Sequence, residues 1–307
     1  MNPGGLSHSS ILSIIKDRQG TLWIGTYFGG VNYFNPEHEI YTRYRISASE
    51  SAGLSSQIVG RMTEDDKGQL WICTEGGGLN VYNRKTRQFT WYPYPGTKIS
   101  QNNLKAIYFD QATRTMWVGT HLGGLDRIRL ETGRSTFYRY QKENPHSLPS
   151  DIVRDIVPYG KRLVVATQEG VAIMDTTRGT FTPLLPKEQL KIVTSLCIDR
   201  KNRLWIATEV NGAYCYDLKS RRYRHFTYSK KPGSLSCNNV NNIMMDKRGR
   251  VWLSTANNGI DLWDEGSSSF INYGEKEGLG TGCVYTACPS SLNDKDLLLI
   301  TNHGFSV

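Results

Sequence analysis

Leu22-Trp23-Ile24-Gly25-Thr26, then two residues, then Gly29-Gly30-Val31, is a stretch that the 307-residue chain repeats. It returns as Leu70-Trp71-Ile72-Cys73-Thr74 before Gly77-Gly78-Leu79, and as Met116-Trp117-Val118-Gly119-Thr120 before Gly123-Gly124-Leu125. Two more copies are Leu204-Trp205-Ile206-Ala207-Thr208 with Gly212 and Val251-Trp252-Leu253-Ser254-Thr255 with Gly259. Two copies lose the tryptophan: Leu163-Val164-Val165-Ala166-Thr167 with Gly170, and Leu297-Leu298-Leu299-Ile300-Thr301 with Gly304. The spacing from copy to copy, about 41 to 48 residues, is that of a four-stranded propeller blade.

Working outward, an apolar stretch ending in an acidic turn precedes each marker, as in Ile11 to Asp17 with Gly20 and Val59 to Asp65 with Gly68. This reads as a strand and a tight hairpin leading into the marker strand. After the glycines comes a third β run, such as Leu79-Asn80-Val81-Tyr82, and after a polar turn an aromatic fourth, such as Phe89-Thr90-Trp91-Tyr92. Four short strands per unit and no helical periodicity predict an all-β fold, a seven-bladed β-propeller of four-stranded blades with the last blade incomplete. The units run over about 6–50, 51–98, 99–145, 146–187, 188–232, 233–277 and 278–307, giving a single propeller domain over 1–307. Residues 1–5 hold no fourth-strand sequence and the seventh unit stops in its third strand, so the abrupt ends read as those of a fragment of a longer chain. A blade is apolar on both faces and must pack against its neighbours, which makes the repeat tryptophans core residues first.

Composition agrees with a globular chain: 38% hydrophobic, 11% aromatic and 21% charged. No apolar run approaches the roughly 20 residues of a transmembrane helix. The start, Met1-Asn2-Pro3-Gly4-Gly5-Leu6, has neither the basic nor the apolar region of a secretory signal. The net charge of +9 favours anionic partners, but the basic residues are dispersed and no recognition helix or motif accompanies them, so nucleic acid is not expected. Cysteines 73, 197, 215, 237, 283 and 288 show no CxxC, and most lie in apolar strands as small buried hydrophobes, while Cys283 and Cys288 are close enough in sequence to pair.

Catalytic and metal motifs are missing. The histidines at 8, 38, 121, 146, 225 and 303 never take a metal spacing, and neither a phosphate-binding glycine loop nor a G-x-S-x-G elbow occurs. No cofactor, metal or catalytic residue is therefore expected. His121 and His303 occupy the same loop of units three and seven and either converge near the axis or are two surface histidines.

Binding is the reading that the loops favour. The turn between second and third strands carries the residues that vary most from copy to copy: Tyr27 and Phe28, Glu75, His121, Gln168, Glu209, Asn257 and His303. Variation on a fixed scaffold is what a composite binding surface shows, and also what unselected loops show. Aromatic faces, amides and carboxylates are the groups that hold sugars. On the first strands, Arg61, Lys105 and Arg154 either make a channel mouth attractive to an acidic glycan or are neutralised, for instance by Asp155.

The combination of Gly-x-Leu-Trp-Ile-Gly-Thr, two residues and Gly-Gly-Leu, with the upstream aspartate, resembles the two-component regulator propeller repeat, over nearly the whole chain and most clearly at 17–31, 65–79 and 110–125. The resemblance implies a propeller from the periplasmic sensor region of a hybrid histidine kinase of Bacteroidetes. Its partners there would be an adjacent propeller and an immunoglobulin-like domain, in a receptor that dimerises. It implies an oligosaccharide ligand, perceived without turnover, and control of polysaccharide utilisation by a kinase elsewhere in the parent chain. Two alternatives stand beside it: a propeller enzyme such as a glycan or small-molecule lyase, whose blades share a similar Gly-x-Leu-Trp signature, and a protein-interaction scaffold.

Overall fold

The computed structural model describes residues 5–35, 40–96, 98–185, 189–279, 284–289, 297–301 and 304–306. Each repeat is an antiparallel sheet whose strands pair in sequence order. Blades one to six span 11–44, 59–92, 104–138, 153–183, 193–226 and 240–273. The expected seven-bladed architecture is corrected here: six sheets have four strands, and the last has only three, Val284–Pro289, Leu297–Thr301 and Gly304–Ser306. A complete blade has four strands, and no fourth strand joins this sheet among the described residues. Among the described residues there are thus six four-stranded blades, not seven.

Two compact units are distinguished: residues 1–156 with 179–181, and residues 157–178 with 182–307. In the first, the gap between blades one and two is filled by Trp23, Val31, Met62, Ile72, Tyr82 and Phe89, and that between blades two and three by Trp71, Leu79, Leu104, Met116 and Val118. In the second unit, Trp205, Leu253, Trp263 and Phe270 pack between blades five and six. All five repeat tryptophans are buried, as their position in the doubly apolar second strand requires. Among the described residues no helix is long and apolar enough to cross a membrane.

In blades one, two, five and six the acidic hairpin residue closes the first turn and anchors the tryptophan. Asp17 accepts the backbone N–H groups of Gln19 and Thr21 on Oδ1, at 2.8 and 3.0 Å, and Trp23 Nε1–H on Oδ2 at 2.7 Å. Asp65, Asp199 and Asp246 do the same for Trp71, Trp205 and Trp252 at 2.9, 2.9 and 3.0 Å. Blade three departs from the rule. Its hairpin is one residue longer, so Asp110 bonds Ala112 N–H and the Thr113 hydroxyl instead, and the buried Trp117 Nε1–H has no acceptor.

A second clasp ties the connection between blades to the third strand. Ser7 N–H donates to Asn32 Oδ1 at 2.9 Å while Asn32 Nδ2 donates to the Ser7 hydroxyl at 2.8 Å, and Ser55 with Asn80 repeats the pair. In blades three and six aspartate replaces asparagine: Asp126 accepts Ser100 N–H and Oγ–H, and Asp261 accepts those of Ser236. Burial pushes the Asp126 carboxyl up to about 7 against the pull of Ser100, and raises Asp261 in the same way.

Candidate functional site

The loop between second and third strands is built by backbone and threonine. Thr26, Thr74, Thr120, Thr208 and Thr255 end the second strands and donate Oγ1–H to the carbonyls of Gly30, Gly78, Gly124, Gly212 and Gly259 at 2.7 to 3.1 Å. Gly124 shows why that position is glycine: its φ is +78°, and a Cβ would lie 2.1 Å from the Tyr138 carbonyl oxygen. The first loop residue is then stapled to the carbonyl just before its blade's first strand. Tyr27 N–H reaches Ser10 O at 3.0 Å, Glu75 reaches Ile58 at 3.1 Å, His121 reaches Asn103 at 2.8 Å, Glu209 reaches Ile192 at 3.0 Å and Ala256 reaches Asn239 at 3.0 Å. No side chain takes part, so the five side chains stand at equivalent positions whatever they are.

In the first unit several of the expected residues come together. Tyr27 and Phe28 are 41% and 48% exposed with ring centroids 4.3 Å apart, edge to face, and the His8 ring lies 6.2 Å from Phe28. Glu75 forms an ion pair with Lys105, the second residue of the first strand of blade three (Leu104–Asp110). His121 lies next to this pair. Its imidazole is pushed below the usual histidine range first by desolvation, then by the charges of Lys105 and Arg154, with Glu75 opposing them. Glu75, Lys105, His121 and Arg154, from blades two to four, therefore share one field.

Arg61 has a different fate. Its Nη1 donates to Asp155 Oδ1 at 2.5 Å, and the Asp155 side chain is buried. The contact joins blades two and four across blade three, where the equivalent residue is the small, buried Ala106. Arg61 is thus neutralised within the first unit, one of the two outcomes left open for it.

In the second unit, Gln168 offers its carbonyl to Ile192 N–H at 2.8 Å, and Glu209 is exposed beside Val210. Asn257 lines an open cleft of about 690 Å³ with Tyr228, Asn258, Asn272 and Glu277. Asn258 Nδ2 donates to Ser236 O at 2.7 Å and Asn272 Nδ2 to Asp261 Oδ1 at 2.9 Å. Tyr228, Asn272 and Glu277 were not legible as site residues, because they come from the fourth strand and the connections that follow it, which vary in length between units. His303 lies outside the described residues, as does the Cys283 of the suggested pair. Among the described residues no group of three or more His, Cys, Asp or Glu is placed to hold a metal ion.

Four segments, 5–28, 53–76, 189–210 and 234–257, match the two component regulator propeller family. In fold the chain is similar to the extracellular domain of a putative hybrid two component system of B. thetaiotaomicron, with a TM-score of 0.81 and 23% identity, covering 98% of this chain and 40% of that one. It is similar also to the extracellular domain of a putative one component system of the same organism, at 0.77 and 21%, covering 97% and 40%. A third similar structure is a catalytically inactive virginiamycin B lyase from Staphylococcus aureus with quinupristin, at 0.73 and 12%, covering 97% and 94%. This chain spans about 40% of the length of the two B. thetaiotaomicron structures. No curated protein matches the sequence.

Proposed function

We propose that this chain is a ligand-recognising propeller of a hybrid two-component sensor, and that it binds an oligosaccharide bearing acidic groups without turning it over. The observation that carries the reading is the grouping of Lys105, His121 and Arg154 with Glu75 on the loop face of the first unit. Tyr27 and Phe28 supply apolar faces for sugar rings on the loop of blade one. The repeat matches and the likeness to extracellular sensor domains support the same reading, with the module on the periplasmic side of an inner-membrane receptor and the kinase elsewhere in the parent chain. Neighbouring propeller and immunoglobulin-like domains and a second receptor copy are the partners of such a module. A ligand can shift a receptor between states only by binding them unequally, which makes affinity the quantity to measure.

Calorimetric titration with uronic-acid-containing and neutral oligosaccharides tests this, with chromatography of each mixture for products. An anion beside His121 favours the imidazolium, so acidic ligands bind more tightly as the pH falls through the lowered titration range of His121 and less tightly as salt rises. His121→Ala and Lys105→Ala each weaken binding about tenfold by removing a charge-assisted contact. Binding that ignores both substitutions and salt would sink the site, and product formation would make the chain an enzyme.

A further inference from the structure

The crevices beside the repeat tryptophans are filled differently from blade to blade. Beside Trp23, blade two supplies Tyr82 and Arg84. The Tyr82 ring is 5.4 Å from the indole, and the Arg84 guanidinium lies 5.4 Å over it with Nη2 on Asp17 Oδ2 at 2.6 Å. Beside Trp205, blade six supplies Trp263, 5.5 Å away, and Glu265, whose carboxylate takes Arg203 Nη2 at 2.7 Å and Lys201 Nζ at 2.8 Å. At the same two positions beside Trp71, blade three has Ile128 and Leu130. Two aliphatic side chains stand where the gaps beside Trp23 and Trp205 hold a ring and a charged chain, and the space beside Trp71 remains as a pocket of about 170 Å³. Trp71, Tyr92, Ile128 and Leu130 form its apolar walls.

Its size is that of one ring, since an apolar cavity of about 150 Å³ holds a benzene. Its charged lining is Lys67, Lys98 and Arg114 together with Asp65, whose Oδ2 is taken by Trp71 Nε1–H, so cations outnumber the one carboxylate. Arg114 is paired with Asp66 at 2.7 Å and Lys98 rests on the Gly133 carbonyl, whereas Lys67 has no ion pair among the described residues. Lys67 holds the hairpin position of Lys201, the lysine that Glu265 neutralises in the second unit. Trp71 is also, among the described residues, the one repeat tryptophan without a guanidinium over its ring, for Arg84, Arg127, Arg203 and Arg250 cover the other four at 5.0 to 5.8 Å.

We propose that this pocket is a binding site for a single-ring aromatic carboxylate. The ring takes the space between Trp71 and Leu130 that Tyr82 and Trp263 fill in the other two gaps. The carboxylate meets Lys67 as Glu265 meets Lys201, with Lys98 and Arg114 adding to the positive field. A cationic guest of the same shape meets Lys67, which has no carboxylate partner among the described residues, and binds more weakly. The site belongs to the first hairpins, away from the loop cluster, and does not depend on the oligosaccharide reading.

Sodium phenylacetate is the probe, titrated into the whole chain by calorimetry and by indole fluorescence, with benzylamine and sodium acetate as controls. Phenylacetate is expected to bind saturably at one site, with benzylamine and acetate at least tenfold weaker. Lys67→Ala, a surface change, weakens phenylacetate about fivefold. The double variant Ile128→Tyr with Leu130→Arg copies the filled gap beside Trp23 and abolishes binding. Absence of saturable phenylacetate binding, equal binding of benzylamine, or undiminished binding by the filled variant would overturn the proposal. Should the double variant not fold, Leu130→Trp, which obstructs the pocket alone, takes its place as the filled variant.

Discussion

Trp71 and Trp117 occupy the same strand position and differ in one hydrogen bond. Trp71 Nε1–H has Asp65 as its acceptor, while Trp117 Nε1–H has none because the blade-three hairpin is a residue longer. Replacement by phenylalanine removes similar apolar volume at both sites, but at position 71 it also leaves the buried Asp65 carboxylate short of a donor. Trp71→Phe is therefore expected to cost about 1–3 kcal/mol more than Trp117→Phe, read from chemical denaturation of each variant. Equal losses would mean that the aspartate–indole bond adds nothing net. Asp126 gives a second prediction. Its carboxyl titrates near 7 in the folded chain and near 3.8 when free, so the folded state holds the proton more tightly. The stability this confers is complete below about 4 and is lost as the pH rises through about 7. Asparagine already does the same work in Asn32 and Asn80, so Asp126→Asn is expected to fold. Its melting temperature relative to the parent should climb between pH 4 and 7 and level off above, and a flat difference would refute a raised pKa. The tryptophans and hairpin aspartates stood out in the sequence because they repeat. The missing acceptor of Trp117 did not, since it follows from a single inserted residue that leaves the local pattern intact.

Among the elements, the loop after the second strand carries the most structure for its length. Its fourth residue must adopt a left-handed backbone while the chain passes against the fourth strand. Gly124→Ala thus adds a steric clash with the Tyr138 carbonyl to the backbone strain, whereas Gly76, with φ +83° and nothing within 4 Å of a Cβ, meets only the strain. Gly76→Ala is expected to cost about 1 kcal/mol and Gly124→Ala clearly more, as measured by thermal unfolding at fixed pH. Comparable losses would show that space at the fourth strand is not the constraint. Both glycines were visible in the sequence within the glycine-rich loop, but the reason for each was not, because the fourth strand that crowds Gly124 is contributed from 14 residues downstream. The candidate residues fared likewise. The repeat put Glu75 and His121 on equivalent loops, and the first-strand alignment selected Lys105 and Arg154. That Arg61 would turn to Asp155 depended on a small residue at position 106, and strand parity by itself did not show in which direction each first-strand side chain points.

At the scale of the whole molecule, periodicity carried nearly everything. A blade cannot bury both faces alone, so seven markers at blade spacing imply sheets stacked in sequence, and the strand order within every sheet follows from hairpin connections. The number of complete blades was less legible, for a marker reports the second strand and is silent about the fourth. The pocket over Trp71 was harder still to see, being a volume deficit at two third-strand positions that look merely apolar on paper. The backbone staple at the head of each loop has one further consequence. Since the bond runs from main chain to main chain, the side chain displayed there owes nothing to folding, and a mutation at Tyr27, Glu75, His121 or Glu209 alters the displayed group without altering the display. Specificity in such a scaffold is open to change one blade at a time by single substitutions, each tolerated on its own, which is the condition for gradual divergence toward new ligands.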